Sequence, residues 1–153
     1  MFYKVKEVKA LPNLKLWVRF IGGAVKIYDV APLLKKWEPF QAFKTEPELF
    51  EQVRVDMGGY GVIWNKQLDL ACNELWYNGV AENPRDVAAT ELLCQLVAAR
   101  QEKGLSQRDM EAKTGIKQPV IARVESGTGD PQLSTLMKMA EACDLKLAFV
   151  QSK

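Results

Sequence analysis

Histidine is absent from the 153 residues of the sequence, which removes the most common general base of enzymes and the most common zinc ligand. A Ser-His or Cys-His nucleophile therefore cannot be assembled from this chain. The three cysteines, Cys72, Cys94 and Cys143, lie far apart within apolar stretches and give neither a disulfide framework nor a paired metal-ligand spacing. We expect no catalytic site, no metal site and no cofactor, and thus a protein that is not an enzyme.

Long apolar runs are also lacking. No run approaches the roughly 20 residues that a membrane-spanning helix needs, and the start of the chain lacks the apolar region of a signal peptide. These observations predict a cytoplasmic protein with reduced thiols and no membrane partner. Strong charge is missing too, because the formal net charge is only +2. Charge alone therefore does not indicate a nucleic-acid partner, and any such prediction depends on a motif.

Aromatic residues are distributed unevenly along the chain. All four Trp and all four Tyr precede Val80, and only Phe149 follows it. The first part is also rich in β-branched residues, whereas the second is rich in helix formers such as Ala, Leu, Met, Gln, Glu and Lys. Breaker pairs at Asn78-Gly79 and Asn83-Pro84 mark the change. We predict a small α+β domain over 1–82 and a helical domain over 83–153.

The first half is predicted to be an antiparallel meander with short helices. Alternation of polar and apolar residues predicts strands at Tyr3–Ala10, Leu14–Phe20 and Ala24–Asp29, and Gly58-Gly59 indicates a second hairpin between Val53–Met57 and Gly61–Trp64. Pro32–Trp37 is predicted to form one short helix turn. Cap chemistry predicts a helix that begins after Thr45, the first residue of a capping box, and runs to about Gln52, and a last helix at Leu70–Tyr77 behind an Asp69 cap.

A function of the first half in binding remains open. Glu48 and Glu51 lie one helix turn apart and could pair as ligands or as acid and base, although such residues more often form a solvated face. Its aromatic residues belong more often to a core than to a stacking platform. The Phe20…Val25–Asp29 strand, the Glu48-Leu49-Phe50 segment and the Gly61–Leu70 stretch resemble a bacterial family of unknown function, which implies a fold and no known chemistry.

The second half has helical spacing of apolar residues from Pro84 onward. Asn83 and Pro84 suit a helix start, and Gly104 suits its end. Ser106 and Asp109 approach a capping box for a second helix, in which Met110 and Ala112 are expected to face inward, and Gly115 supplies the following turn. Further helices are predicted at 117–126 and 133–143. The tail Leu145–Val150 is either a strand or a short fifth helix, and its alternation favours a strand.

The stretch from Leu92 to Phe149 closely resembles the lambda-repressor-like, Cro/C1-type helix-turn-helix family. The resemblance is carried by Leu105-Ser106-Gln107, Ala112, Gly115-Ile116, Ile121–Gly127, Pro131 and Leu133…Leu136…Met139-Ala140. It implies that a recognition helix over 117–126 enters the major groove of DNA. The closing Leu145-Lys146-Leu147 looks most like antitoxin-type members of the family.

The resemblance also assigns candidate residues. The predicted DNA-binding set is Ser106, Gln107, Lys117, Gln118, Pro119, Arg123 and Ser126. In this set Gln107 is expected to bind a phosphate, Gln118 to pair with adenine, and Arg123 to reach guanine or a phosphate. Arg100 and Glu125 occupy positions that form a semi-buried, structural ion pair in relatives.

The sequence thus predicts a sequence-specific DNA-binding transcription regulator, either a repressor or antitoxin-like, that acts on double-stranded DNA as a homodimer. Two alternatives remain open. The first is a protein-binding antitoxin whose first domain neutralises a toxin-like protein. The second is a regulator whose aromatic first domain senses a small-molecule effector.

Overall fold

The computed structural model describes residues 1–151 and divides into two compact units, one over Phe2–Thr90 and the other from Glu91 onward. The first unit contains two antiparallel sheets with short helices, and the second is helical. This arrangement confirms the predicted α+β class, with a meander followed by a helix-turn-helix region. Within residues 1–151, no helix is both long enough and apolar enough to cross a membrane.

The larger sheet contains the predicted meander. Its strands are β1 (Val5–Leu11), β2 (Lys15–Phe20), β3 (Val25–Asp29) and β7 (Val80–Ala81), in the order β1-β2-β3-β7. Strand β2 alternates as a half-buried strand should, because Leu16, Val18 and Phe20 are fully buried. The short β7 pairs with β3 and was not predicted, since Val80-Ala81 is too brief to show a period.

Three one-turn helices follow the meander: α1 (Leu33–Lys36), α2 (Ala42–Thr45) and α3 (Pro47–Phe50), with a 3-10 turn at Glu38–Gln41. The capping box predicted at Thr45 is wrong. Thr45 is the last residue of α2, and its hydroxyl donates to the carbonyl of Ala42. Helix α3 begins one residue later than predicted, because Pro47 has a backbone angle fixed for a first helical position and no N–H to satisfy.

The smaller sheet consists of β4 (Arg54–Val55), β5 (Gly61–Asn65) and β6 (Leu68–Ala71), and helix α4 (Cys72–Asn78) follows it directly. The predicted hairpin around Gly58-Gly59 is present as the β4–β5 pair. The predicted cap at Asp69 is wrong, because Asp69 lies within β6 opposite Ile63 and Ala71 precedes α4. Burial of Leu68 and Leu70 on one face makes this segment a strand.

The aromatic residues of the first unit lie mainly in its core. The Trp64 ring lies 5.0 Å from the Phe43 ring and 5.8 Å from the Phe50 ring, and its indole N–H donates to the Phe50 carbonyl at 2.9 Å. Trp76 stacks on Tyr3 with ring centroids 4.0 Å apart. These packed rings agree with the interpretation of the aromatic residues as core rather than as a stacking platform.

Helix α5 (Pro84–Glu102) contributes its first turns to the first unit. The side chain of Asn83 accepts from the N–H of Arg85 at 3.0 Å, which caps the start of the helix. Further along the helix, Thr90 is fully buried and its hydroxyl accepts the N–H of Ala24 at 3.0 Å. Gly22 is needed beside it, because a Cβ there would lie 2.9 Å from the Thr90 Cα.

The second unit packs the remainder of α5 with α6 (Gln107–Thr114), α7 (Gln118–Glu125) and α8 (Leu133–Ala142). Its buried core is formed by Leu93, Leu96, Met110, Ile121, Val124, Met139, Ala140 and Cys143. Ala112 is exposed, so the prediction that it faces inward is wrong; Met110 is the buried residue of α6. Residues 145–151 have no regular secondary structure, so neither the favoured strand nor the fifth helix is present in them.

Candidate nucleic-acid interface

Helix α6 begins with a complete capping box. The hydroxyl oxygen of Ser106 accepts the N–H of Asp109 at 3.0 Å, and the Asp109 carboxylate accepts the N–H of Ser106 at 2.7 Å. The Ser106 hydroxyl, followed by its N–H, lowers the pKa of Asp109 below its usual range. Two of the free N–H groups at the helix start are thereby satisfied, and Ser106 stays exposed at the surface.

Gly115 forms the turn between α6 and α7. It ends α6 in the left-handed region at φ 74°, and its N–H donates to the Glu111 carbonyl at 2.8 Å. A side chain at this backbone angle would be strained, which explains why glycine suits the position. Thr114 supports the same turn, since its hydroxyl donates to the Met110 carbonyl and accepts the N–H of Ile116.

Glu111 caps the recognition helix α7 from the preceding helix. Lys117 stands at the N-cap of α7 and cannot supply a carboxylate or hydroxyl, so the first N–H of the helix needs another acceptor. The Glu111 carboxylate accepts this N–H, from Gln118, at 2.8 Å, and its other oxygen lies 3.4 Å from Nζ of Lys117. The Gln118 N–H, followed by Lys117, lowers the pKa of Glu111 below its usual range.

Sequence reasoning missed this role of Glu111. Two features of the sequence could have indicated it. A lysine at the N-cap of a helix cannot accept a hydrogen bond from the first N–H groups of that helix, and Glu111 lies one helical turn before Gly115, on the side of the turn. The structure therefore adds Glu111 to the residues that define the start of α7.

The two faces of α7 differ sharply in burial. Ile121 is 0% and Val124 5% exposed, and both pack into the helical core. On the remaining surface Gln118 is half-buried, and three other predicted DNA contacts are exposed: Lys117, Pro119 and Arg123. The helix thus turns Ile121 and Val124 inward and leaves Gln118 and Arg123 available to a ligand.

The side chains of Arg100 and Glu125 form an ion pair at the C-terminal end of α7. Nε of Arg100 is 2.6 Å from one carboxylate oxygen of Glu125, and Nη2 is 2.9 Å from the other. The third guanidinium nitrogen donates to the Leu105 carbonyl at 2.7 Å. Both side chains are nearly enclosed, with 12% of Arg100 and 7% of Glu125 exposed. This bidentate geometry fixes the carboxylate in one orientation.

Gln107 joins this ion pair to the recognition helix. Its amide nitrogen donates to Glu125 at 2.9 Å, and its amide oxygen accepts from the amide nitrogen of Gln118 at 2.8 Å. A carboxylate can only accept, so Gln107 must turn its NH₂ group towards Glu125 and its oxygen towards Gln118. Gln118 must then offer its own NH₂ group. Its amide oxygen and its second N–H remain outside this chain of hydrogen bonds.

Ser126 lies where α7 ends. It is the C-cap of the helix, and its hydroxyl donates to the Arg123 carbonyl at 2.9 Å and lies 3.0 Å from the Thr128 hydroxyl. The structure therefore brings Gln107, Gln118, Glu125 and Arg100 into one hydrogen-bonded chain, whereas Ser106 and Ser126 cap helix ends and Lys117, Pro119 and Arg123 stand at the surface.

Two helices joined by the Gly115 turn, with a buried and an outward face on the second, define a helix-turn-helix protein. In agreement, the family described as "Helix-turn-helix" matches residues 96–150. A second family, "Protein of unknown function (DUF2442)", matches residues 5–81, half of the chain, and the chain belongs to it. The two resemblances seen in the sequence are thereby confirmed.

Several curated relatives match part of the chain. An uncharacterized HTH-type transcriptional regulator of Haemophilus influenzae is 42% identical over 59 residues, which are 39% of this chain and 60% of that protein. Antitoxin HigA1 of Mycobacterium tuberculosis is 34% identical over 74 residues, 48% of each chain. A solved toxin-antitoxin module from Streptococcus pneumoniae has a TM-score of 0.44 and 27% identity, covering 57% of this chain and 100% of that one. The chain spans about half the length of the curated relatives it matches.

Proposed function

We propose that the chain is a sequence-specific, cytoplasmic DNA-binding transcription regulator, rather than an enzyme, and that it reads the major groove with α7. The observation that carries the proposal is the division of α7 into a buried face of Ile121 and Val124 and an outward surface that holds Gln118 and Arg123. Sequence similarity to an HTH-type transcriptional regulator supports the same function.

Gln118 is the residue best prepared for base reading. With one N–H given to Gln107, its amide keeps one donor and one acceptor. Adenine presents the complementary pair in the major groove, because N7 accepts and the N6 amino group donates. Through Gln107, the Arg100–Glu125 pair holds the side-chain amide of Gln118 in this orientation. The entropy cost of ordering that amide is therefore not added when DNA binds.

The other predicted contacts divide into two groups. Arg123 and Lys117 carry the positive charges of α7 and are exposed, so we assign Arg123 to a guanine or a phosphate and Lys117 to a phosphate. Pro119 offers an apolar contact only. Gln107 retains one N–H for a phosphate besides its two amide hydrogen bonds. Ser106 and Ser126 contribute contacts to the DNA backbone from the helix ends they cap.

A single module of this kind reaches few base pairs, and we propose a homodimer that reads two half-sites about one helical turn apart. The proposal is tested by selecting bound sequences from random duplex DNA with wild type, Gln118→Ala and Arg123→Ala. Lys138→Ala, on α8, is the control for loss of a surface charge.

Wild type and Lys138→Ala should enrich the same two-fold symmetric sequence. Gln118→Ala should lose discrimination at one adenine of each half-site, corresponding to about 1–3 kcal/mol per base contact. Enrichment of one nonspecific pool by all four proteins would refute the assignment of α7 as the reading element.

An antitoxin function is a second candidate, favoured by the similarity of 48% of the chain to Antitoxin HigA1. In this case the first unit or the helical unit would also bind a toxin-like protein. Co-expression with the product of an adjacent small reading frame tests it: the chain should restore growth, and Gln118→Ala should restore it equally well. A third candidate, an effector-sensing first unit, predicts thermal stabilisation by a metabolite.

A further inference from the structure

The start of α7, where the structure describes every residue, has no N–H group left for an outside ligand. The N–H of Gln118 donates to the Glu111 carboxylate at 2.8 Å, and Pro119 has no N–H. The next two N–H groups along the helix both donate to the Lys117 carbonyl, at 2.9 and 3.2 Å. Within residues 118–121, none of the backbone donors that attract an anion to a helix start is therefore available.

The charged side chain at this helix start is engaged as well. Nζ of Lys117 lies 3.4 Å from the other carboxylate oxygen of Glu111, and 80% of the lysine side chain is exposed. Lysine has three N–H donors, so it can still contact a phosphate. A phosphate that approaches Lys117 nevertheless meets a cation beside a carboxylate, and the attraction is weaker than that of a lone lysine.

Glu111 is charged at neutral pH. The N–H of Gln118, followed by Lys117 and Arg108, lowers the pKa of this carboxyl group below its usual range. One third of the Glu111 side chain is exposed, at 33%, so its charge acts on an approaching ligand. A fixed negative charge therefore stands at the start of the helix that is proposed to enter the major groove.

We infer that Glu111 is a specificity-determining residue, which occupies the anion position at the start of α7 and keeps DNA phosphates out of it. Phosphates are the same in every sequence, and their attraction to a protein supplies nearly all of nonspecific binding. A residue that weakens this attraction lowers nonspecific affinity most. The specific complex loses less, because the same carboxylate fixes the backbone of Gln118, whose amide contacts a base. The inference rests on the proposed DNA-binding function.

A role of Glu111 as a helix cap alone predicts the opposite effect on DNA. Removal of a cap loosens the helix, so affinity for every duplex would fall. Removal of a charge that repels phosphates raises affinity for a duplex of random sequence. A gain of affinity is therefore the decisive readout, because loss of structure does not produce it.

Three variants separate the charge of Glu111 from its hydrogen bond. Glu111→Gln removes the charge and keeps an acceptor, Glu111→Ala removes both, and Glu111→Asp keeps the charge on a shorter side chain. Glu141→Gln, at an exposed glutamate of α8, is the matched control for the same change in net charge. Each protein is titrated by fluorescence anisotropy with a random-sequence duplex and with the duplex that wild type selects, at several salt concentrations.

Affinity of Glu111→Gln for the random duplex should rise by about threefold or more at low salt, and its dependence on salt should become steeper. Its affinity for the selected duplex should rise less, so the ratio of specific to nonspecific affinity falls. Glu111→Ala should gain affinity for the random duplex and lose affinity for the selected one. Glu111→Asp should stay close to wild type on the random duplex, and Glu141→Gln should leave both affinities unchanged.

An unchanged or lower affinity of Glu111→Gln for the random duplex, with helices intact by circular dichroism, would reduce Glu111 to a cap and overturn the inference. An equal gain in Glu141→Gln would overturn it as well, since net charge would then account for the effect. Failure of the proposed function has a different signature. Wild type would then select no sequence, while the random duplex would still show whether Glu111 repels phosphates. A wild type that binds neither duplex would refute both.

Discussion

At the residue scale, the stability of the helical unit depends on the enclosed ion pair of Arg100 and Glu125. Removing the guanidinium by Arg100→Met leaves the Glu125 carboxylate nearly buried without its cation. The free energy of unfolding should fall by about 3 kcal/mol, as for other buried pairs that lose one partner. Urea unfolding followed by far-ultraviolet circular dichroism measures the change.

The double variant Arg100→Met/Glu125→Leu is the control for this prediction. It removes both charges, so much of the lost stability should return even though the link to Gln107 is gone. A decrease below about 1 kcal/mol in the single variant would mean that the pair is solvated and does not orient Gln107.

Three carboxylates of the helical unit set its response to acid. Hydrogen bonds and ion pairs lower the pKa of Asp109 through Ser106, of Glu111 through Gln118 and of Asp144 through Lys103. A carboxyl group with a lowered pKa in the folded state contributes stability that is present above its ordinary pKa of about 4 and is lost as the pH falls through the lowered value.

The Tm of the helical unit should therefore decline as the pH falls below about 4. Glu111→Gln should lower the Tm at neutral pH, because a neutral amide caps α7 less strongly, and its difference from wild type should shrink in acid. Thermal melts from neutral pH down to acid give both curves. A constant difference at every pH would contradict the assigned charge of Glu111.

For single residues, the sequence was sufficient to predict a role that depends only on the position of the residue within its own helix. Ser106, Gly115, Ile121 and Val124 follow from cap chemistry and helical spacing. It was insufficient for contacts between helices. The hydrogen bonds of Gln107 to Gln118 and of Glu111 to the α7 backbone depend on how two helices meet, which periodicity does not specify.

At the scale of elements, the first turns of α5 depend on one hydroxyl. Thr90→Val has nearly the same shape but leaves the buried N–H of Ala24 without its acceptor. We expect a loss of about 1–3 kcal/mol in the free energy of unfolding of the first unit. Thr90→Ser keeps the hydroxyl and should lose clearly less, and tryptophan fluorescence in urea distinguishes the two. Equal losses would show that packing, not the hydrogen bond, matters here.

Elements with a clear period were predicted well, and elements decided by a neighbour were not. Strands β1, β2 and β3 follow from alternation along the chain. Asp69 has good cap chemistry, but β5 pairs with its segment as strand β6, and Thr45 has capping-box spacing, but Pro47 starts α3 one residue later. In both cases local cap chemistry was compatible with the predicted helix start and also with the observed structure. Pairing with β5 decided for the strand at Asp69, and the fixed backbone angle of Pro47 decided for the later helix start.

At the scale of the whole molecule, the small net charge of +2 limits the electrostatic part of DNA binding. We expect a shallow dependence of affinity on salt for the proposed dimer. Lys117→Ala should reduce the slope of log affinity against log salt by about one for each phosphate that is no longer neutralised, so by about two in a dimer. Fluorescence anisotropy at several salt concentrations measures it.

Lys138→Ala lowers the charge of α8 by the same amount and should leave that slope unchanged. If both variants changed the slope equally, net charge and not the position of Lys117 would account for the effect.

The composition shift at Val80 indicated the division of the molecule into two parts, because aromatic and helix-forming residues are segregated along the chain. The boundary at 82–83 stays a prediction, since α5 holds residues of both compact units.

The packing of Trp64 and Trp76 in the first unit has a practical consequence. Since every indole of the chain precedes Val80, intrinsic emission is an optical label confined to one half of the protein. Denaturant titrations read in emission will follow the first half alone, whereas those read in ellipticity will follow both halves, without any dye. A spectral change on adding an operator duplex would mean that occupancy of α7 is communicated to the residues of the DUF2442 region.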